Sequence, residues 1–214
     1  MKIAIGNHDY RGVGQLQKYM NHFGLREEYY SFDYQRVHFL ALSTETPYNA
    51  TSAQYKFVKN DLPKAASNPN IDWNIVYFHR PMYTSPSTHP PSPMLRNTYH
   101  PLFERYGVDL VLQGHNHNYQ RTYPIIINNS SPSNPIETST NTASYTDPDG
   151  QIFVTVGTGG RHLDILNGKI NYNIKQYEGF GILNVDITNN GRTLTGKFYA
   201  NNNGTIIDQF TITK

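Results

Sequence analysis

Residues 110–117 read Leu110-Val111-Leu112-Gln113-Gly114-His115-Asn116-His117, an apolar run that stops at a glycine and delivers two histidines two residues apart. The same plan recurs twice. Ile75-Val76-Tyr77-Phe78 runs straight into His79, and Ile3-Ala4-Ile5 runs into Gly6-Asn7-His8-Asp9. In an α/β sheet the carboxyl ends of neighbouring strands converge on the ligand crevice, so side chains far apart in sequence meet there. One histidine after a strand is usually a surface or capping residue. Three such strand ends in one chain are hard to credit to chance, since an i, i+2 histidine pair on a loop directs both rings to one metal or two adjacent ones.

The candidate ligands are therefore Asn7, His79, His115 and His117. Imidazole suits zinc, iron or manganese, and an amide oxygen fits a borderline-hard divalent ion. All four side chains are neutral, so a bound metal keeps its full charge. That suits a phosphate oxyanion but holds the metal loosely. Among these strand ends only Asp9 offers a carboxylate, and it is read as a partner that orients the His8 imidazole.

Around these blocks the pattern alternates strands and helices. Gly14 to Phe23 has helical spacing and stops at Gly24, a suitable glycine for the left-handed residue after a helix. Tyr29–Phe32 and Arg36–Leu42 read as a hairpin. Ser52 to Ala66 reads as a helix capped by Thr51 or Ser52. After Asp72–Phe78 comes a loop from Arg80 to Pro93, rich in Pro, Ser and Thr. A helix over Leu95–Tyr106 follows, secured from Pro101 onward because proline is tolerated in a first turn. Residues 125–150 read as a surface loop. From Gln151 the chain is mostly β: Ile152–Val156, Gly181–Ile187, Arg192–Tyr199 and Thr205–Thr213. The expected fold is a single α/β domain over residues 1–214, layered and ending in antiparallel strands.

Composition closes off other classes. The 214 residues are 37% hydrophobic and carry a net charge of +2, too small and too evenly spread for a nucleic-acid surface. No run of about eighteen apolar residues predicts a membrane span. There is no cysteine, which excludes disulfides, thiolate zinc sites and cysteine nucleophiles together. Sequons at Asn49-Ala50-Thr51, Asn129-Ser130-Ser131 and Asn203-Gly204-Thr205 point to a secreted or extracytoplasmic protein.

The blocks resemble the last three of the calcineurin-like metallophosphoesterases, and most closely the purple acid phosphatase branch. There the middle histidine continues as His-x-Pro-x-Tyr, as in His79-Arg80-Pro81-Met82-Tyr83. The final block runs Gly-His-x-His-x-Tyr-x-Arg, as in Gly114 to Arg121, and Gly157-Thr158-Gly159-Gly160 is similar to the family's glycine turn. The resemblance covers residues 3 to about 160. It implies an α-β-β-α sandwich. It implies that Asn7, His79 and His115 bind one metal and His117 another, and that His8, backed by Asp9, faces the phosphate. His89 lies where this branch places a histidine near the leaving group. His22, His38, His100 and His162 match no motif and read as structural or solvated residues.

The implied reaction is two-metal hydrolysis of a phosphate monoester, with iron, zinc or manganese generating a hydroxide nucleophile and His89 protonating the leaving group. A phosphodiesterase or nucleotide phosphatase, or a non-catalytic binding module on the same scaffold, is the alternative. The family's Asp-x-Gly or Asp-x-His block and its Gly-Asp block, which in this branch also brings a tyrosine, precede the Gly-Asn-His-Asp block and are not in this sequence. The expectation is thus a domain incomplete on its N-terminal side, with at most one weakly bound metal, little or no activity, and a sheet edge or core face left uncovered.

Overall fold

The computed structural model describes residues 1–214. Three helices, α1 (Gln15–Phe23), α2 (Ala53–Ser67) and α3 (Pro93–Arg105), accompany twelve strands. These are β1 (Tyr30–Tyr34), β2 (Val37–Ala41), β3 (Trp73–Tyr77), β4 (Leu110–Gln113), β5 (Tyr119–Ile126), β6 (Ile136–Glu137), β7 (Ser144–Thr146), β8 (Gln151–Val156), β9 (Asn173–Tyr177), β10 (Gly181–Thr188), β11 (Thr193–Ala200) and β12 (Ile206–Thr213). No helix is long and apolar enough to cross a membrane.

The larger, mixed sheet has the order β1-β2-β3-β4-β8-β5-β6, with β9 also paired to β5; the smaller is β10-β11-β12-β7. Strands β2, β3, β4 and β8 are parallel neighbours. Their side chains alternate between two cores, as the two-residue period of a strand requires. Val76, Val111 and Phe153 join Val58 and Leu62 of α2 and Leu95, Tyr99 and Phe103 of α3. Ile75, Leu110, Ile152 and Val154 pack instead against Leu194, Phe198, Phe210 and Ile212 of the smaller sheet. Both faces of the parallel strands are thus buried, which explains their continuous apolar reading.

The helix ends follow local chemistry. Ser52 caps α2 by accepting the Tyr55 N–H at 3.1 Å, and Ser92 caps α3 from Leu95. Gly24 ends α1 with φ 66°. Three expectations need correction, and two strands were not anticipated. Residues 2–5 form no strand, because the backbone N–H and carbonyl of Ile3 both bond the Tyr30 hydroxyl, at 2.8 and 2.7 Å, in place of a neighbouring strand. Helix α3 starts at Pro93, and Pro101 lies in its interior. The segment 125–150 is not only loop, since it holds β6 and β7. Strands β5 and β9 had no apolar alternation to show them: Gln120, Arg121 and Thr122 are buried yet polar, and are kept so by hydrogen bonds.

Arg121, 1% exposed, joins the two sheets. Its guanidinium meets Asp208 of β12 in a bidentate pair at 2.6 and 2.9 Å, and Asp208 also accepts the Tyr119 hydroxyl at 2.7 Å. Arg121 further donates to the Tyr145 hydroxyl and the Thr142 carbonyl and lies over the Phe210 ring. A second polar cluster sits at the sheet margin. Buried His38 of β2 faces Asp33 through Nδ1 at 2.7 Å and Asp61 of α2 through Nε2 at 2.9 Å. Only the doubly protonated ring donates to both. Burial lowers the His38 pKa, but the hydrogen bonds to Asp61 and Asp33 outweigh it and the net shift is upward.

Removing one partner of a buried pair strands the other charge. Asp208→Ala is therefore expected to lose about 3–5 kcal/mol of unfolding free energy in a urea titration. The second expectation concerns pH. A histidine whose folded pKa is raised stabilises the fold fully below its unfolded value, the ordinary 6.5, and that contribution is lost as pH rises through the folded pKa. Unfolding free energy should therefore decline as pH rises from 6.5 to the folded pKa, and His38→Gln should flatten that decline.

Candidate metal centre

The carboxyl ends of β2, β3, β4 and β8 lie on one edge of the sheet, and each is followed by polar residues that face the same place. His79 leaves β3 with Gly6 against its ring: a Cβ on Gly6 would stand 2.8 Å from His79 Nδ1. Only glycine lets the 6–9 turn approach so closely. That turn brings Asn7 Oδ1 to 2.8 Å from His79 Nε2, and His115 Nδ1 lies 2.9 Å from the same nitrogen. Burial pushes the pKa of His79 down to about 4 and that of His115 down to about 3, so both rings are neutral.

This donor set fits a cation. Asn7 Oδ1 accepts only, so the His79 Nε2 hydrogen points to it. No second hydrogen of His79 is then left for His115 at that nitrogen. Lone pairs converge here in excess of protons. Imidazole nitrogens and an amide oxygen are ligands for a divalent transition ion. Asn7, His79 and His115, chosen from sequence, are thus brought together.

His115 is held by its backbone. Its φ of 67° is uncommon for a residue with a side chain, and Asn116 N–H donates to the Gly114 carbonyl at 2.8 Å, closing a tight turn around it. Gly114 N–H in turn donates to the His79 carbonyl at 2.9 Å. His89 stacks on His115 with ring centroids 3.9 Å apart. Its backbone is gripped on both sides by Asn116, which accepts from His89 N–H and donates to the His89 carbonyl, each at 2.9 Å. Neighbouring buried amides hold the rest of that loop. Gln113 takes Met82 and Tyr83, Gln120 takes Thr84 and Ser85, and Asn118 takes Ser87.

His117, half-buried, has its Nδ1 2.8 Å from the His162 carbonyl oxygen. His8 is exposed, and its pKa is lowered by burial of the ring's surroundings and by Arg11, Arg161 and His117, with Asp9 pulling the other way. The Asp9 carboxylate, expected behind the His8 ring, instead accepts the Gly6 N–H at 2.9 Å and closes the turn that presents Asn7 and His8. Sequence reading missed Glu45, which follows β2 and pairs with Arg80 at 2.7 and 2.9 Å. It also set aside His162 and passed over Asp164. One ligand atom from each of these and one from His117 all lie within 4.8 Å of one another. They lie on the segment that follows β8 and its glycine turn, removed from the strand end and outside any motif.

A family model described as calcineurin-like phosphoesterase matches residues 2–119. Purple acid phosphatase 23 of Arabidopsis thaliana is 35% identical over 134 residues, 62% of this chain and 25% of that protein. Probable inactive purple acid phosphatase 1 of the same plant is 27% identical over 194 residues, 87% of this chain and 30% of that protein. A solved purple acid phosphatase from yellow lupin (Lupinus luteus) seeds aligns with a TM-score of 0.76 at 27% identity, covering 86% of this chain and 32% of that one. The chain spans about a quarter to a third of the length of these relatives.

Gly157, the first residue after β8, touches the back of this site. A Cβ there would stand 1.9 Å from the Asn116 carbonyl oxygen, a backbone atom that cannot swing aside. Gly157→Ala is expected to cost about 1–3 kcal/mol of stability through overpacking. It should also displace the histidine turn, so that zinc affinity measured by calorimetry falls together with the thermal midpoint.

Proposed function

This chain belongs to the calcineurin-like phosphoesterase family, and on that premise we propose that it hydrolyses phosphate monoesters at a dinuclear metal centre. The observation that carries the reading is the convergence of Asn7 Oδ1, His79 Nε2 and His115 Nδ1 at one point. Metal ions held there and beside His117 would supply Lewis-acid activation of water and of the phosphoryl oxygens. The remaining roles belong to the chain's own groups. His8, exposed and flanked by Arg11 and Arg161, faces the substrate phosphate and stabilises its charge. His89, stacked on His115 and fixed by Asn116, donates the proton to the leaving oxygen.

A non-catalytic reading also has a supporting observation: one relative sharing 27% identity over 87% of this chain is named as probably inactive. Metal binding separates the site from the scaffold. Zinc or manganese titrated into the chain should bind at Asn7, His79 and His115, with affinity falling at least about 10-fold in His79→Ala. p-Nitrophenyl phosphate turnover, where measured, should fall with it. A His79→Ala variant with unchanged metal affinity would falsify the assignment. Metal binding with no turnover in a protein that also carries the upstream blocks would favour the binding module.

A further inference from the structure

We propose that His117, His162 and Asp164 form a metal-binding position of this chain, taking a divalent first-row transition ion. His117 alone came from sequence motifs. His162 and Asp164 lie outside residues 2–119, the span matched by the family model.

The geometry is built from both strands' ends. After β8, the glycine turn carries the chain back across the loop that follows β4. Asp164 locks onto His117 from two directions. Its N–H donates to the His117 carbonyl at 3.0 Å, and its carboxylate accepts the His117 N–H at 2.8 Å. Asp164 is 4% exposed, so this is a buried carboxylate held at a fixed place and not a solvated surface acid.

The ring of His117 is oriented as a ligand is oriented. Nδ1 lies 2.8 Å from the carbonyl oxygen of His162, which can only accept, so Nδ1 carries the hydrogen. The lone pair of the neutral ring is then on Nε2. Donation of the second ring N–H to a backbone carbonyl is the usual support for a metal-bound histidine. His162 stands with its ring centroid 5.4 Å from that of His117. Its Nδ1 holds a lone pair that now receives the exposed Arg161 Nε–H at 3.1 Å, a contact that a cation displaces at little cost. Two imidazoles and one carboxylate are a ligand set for Zn2+, Mn2+ or Fe2+. The Asp164 carboxylate supplies the negative charge that the four motif residues lack.

The proposal rests on the preceding reading for its class of metal, and Co2+ tests the two separately, because its visible absorption reports coordination without any turnover. Titration of the 214-residue chain with Co2+ should show two binding events. His162→Ala removes an exposed ring and should abolish one of them, with the circular dichroism spectrum unchanged. Asp164→Asn keeps an acceptor for the His117 N–H and should weaken the same event at least about 10-fold. His79→Ala should remove only the other. An identical titration and spectrum in His162→Ala overturns the proposal, as does a wild-type chain with a single event that disappears in His79→Ala. Loss of the His79 event with the His162 event intact strikes the phosphoesterase site and leaves this one standing.

Discussion

The buried pair of Arg121 and Asp208 is the constraint on which the arrangement of the two sheets depends. An arginine with 1% exposure is tolerable only where every face of the guanidinium is used, and here it is. Asp208 of β12 takes two of its hydrogens, Thr142 and Tyr145 take others, and Phe210 covers the plane. Because Tyr119 bonds the same carboxylate, the start of β5 is fixed over the smaller sheet. The histidine turn at 115–117 hangs between that fixed point and the end of β4. This pair thus sets one end of the loop that carries His115 and His117.

The facing loop is fixed by amides. Gln113, Asn116, Asn118 and Gln120 are all buried, and each holds a different part of the loop between β3 and α3. Loops on a surface are usually mobile. This one has its backbone hydrogen bonds supplied by side chains of an adjoining strand and turn, and the network is satisfied throughout. The consequence is positional: His89 and His115 are on separate loops, yet Asn116 binds the backbone of the first and is the chain neighbour of the second. Their stacked rings follow from that one side chain.

The parallel strands and the metal-competent residues after them were legible in the sequence, because burial on both faces makes a strand uniformly apolar and its end abrupt. That signal singled out His79, His115 and His117 as candidates; Asn7 was chosen by the same reading although no strand precedes it. Strand β5 was illegible for the opposite reason. Its buried positions, Gln120, Arg121 and Thr122, are polar, and their partners come from Thr84, Asp208 and Phe153, distant in sequence. The strand expected at residues 2–5 failed because apolar residues next to the site do not by themselves supply a neighbour. His162 looked like a solvated residue since it and Asp164 approach His117 only when the β8 loop folds back, held there by the Asp164–His117 hydrogen bonds. Long-range hydrogen bonding, not local pattern, decides each of these.

The backbone at His115 shows how the site and the scaffold oppose one another. A non-glycine residue at φ 67° stores about 1–3 kcal/mol of strain, and it persists only where its surroundings leave no alternative. Here the Gly114 N–H is committed to His79, Asn116 N–H to Gly114, and the Asn116 carbonyl is pressed against Gly157. Relaxing the turn would break these contacts and carry His115 Nδ1 away from His79 Nε2. Glycine at 115 would remove the strain and the imidazole together. The strain therefore stays at the one position whose side chain must point back toward β3, and the close approach of Gly157 keeps it there.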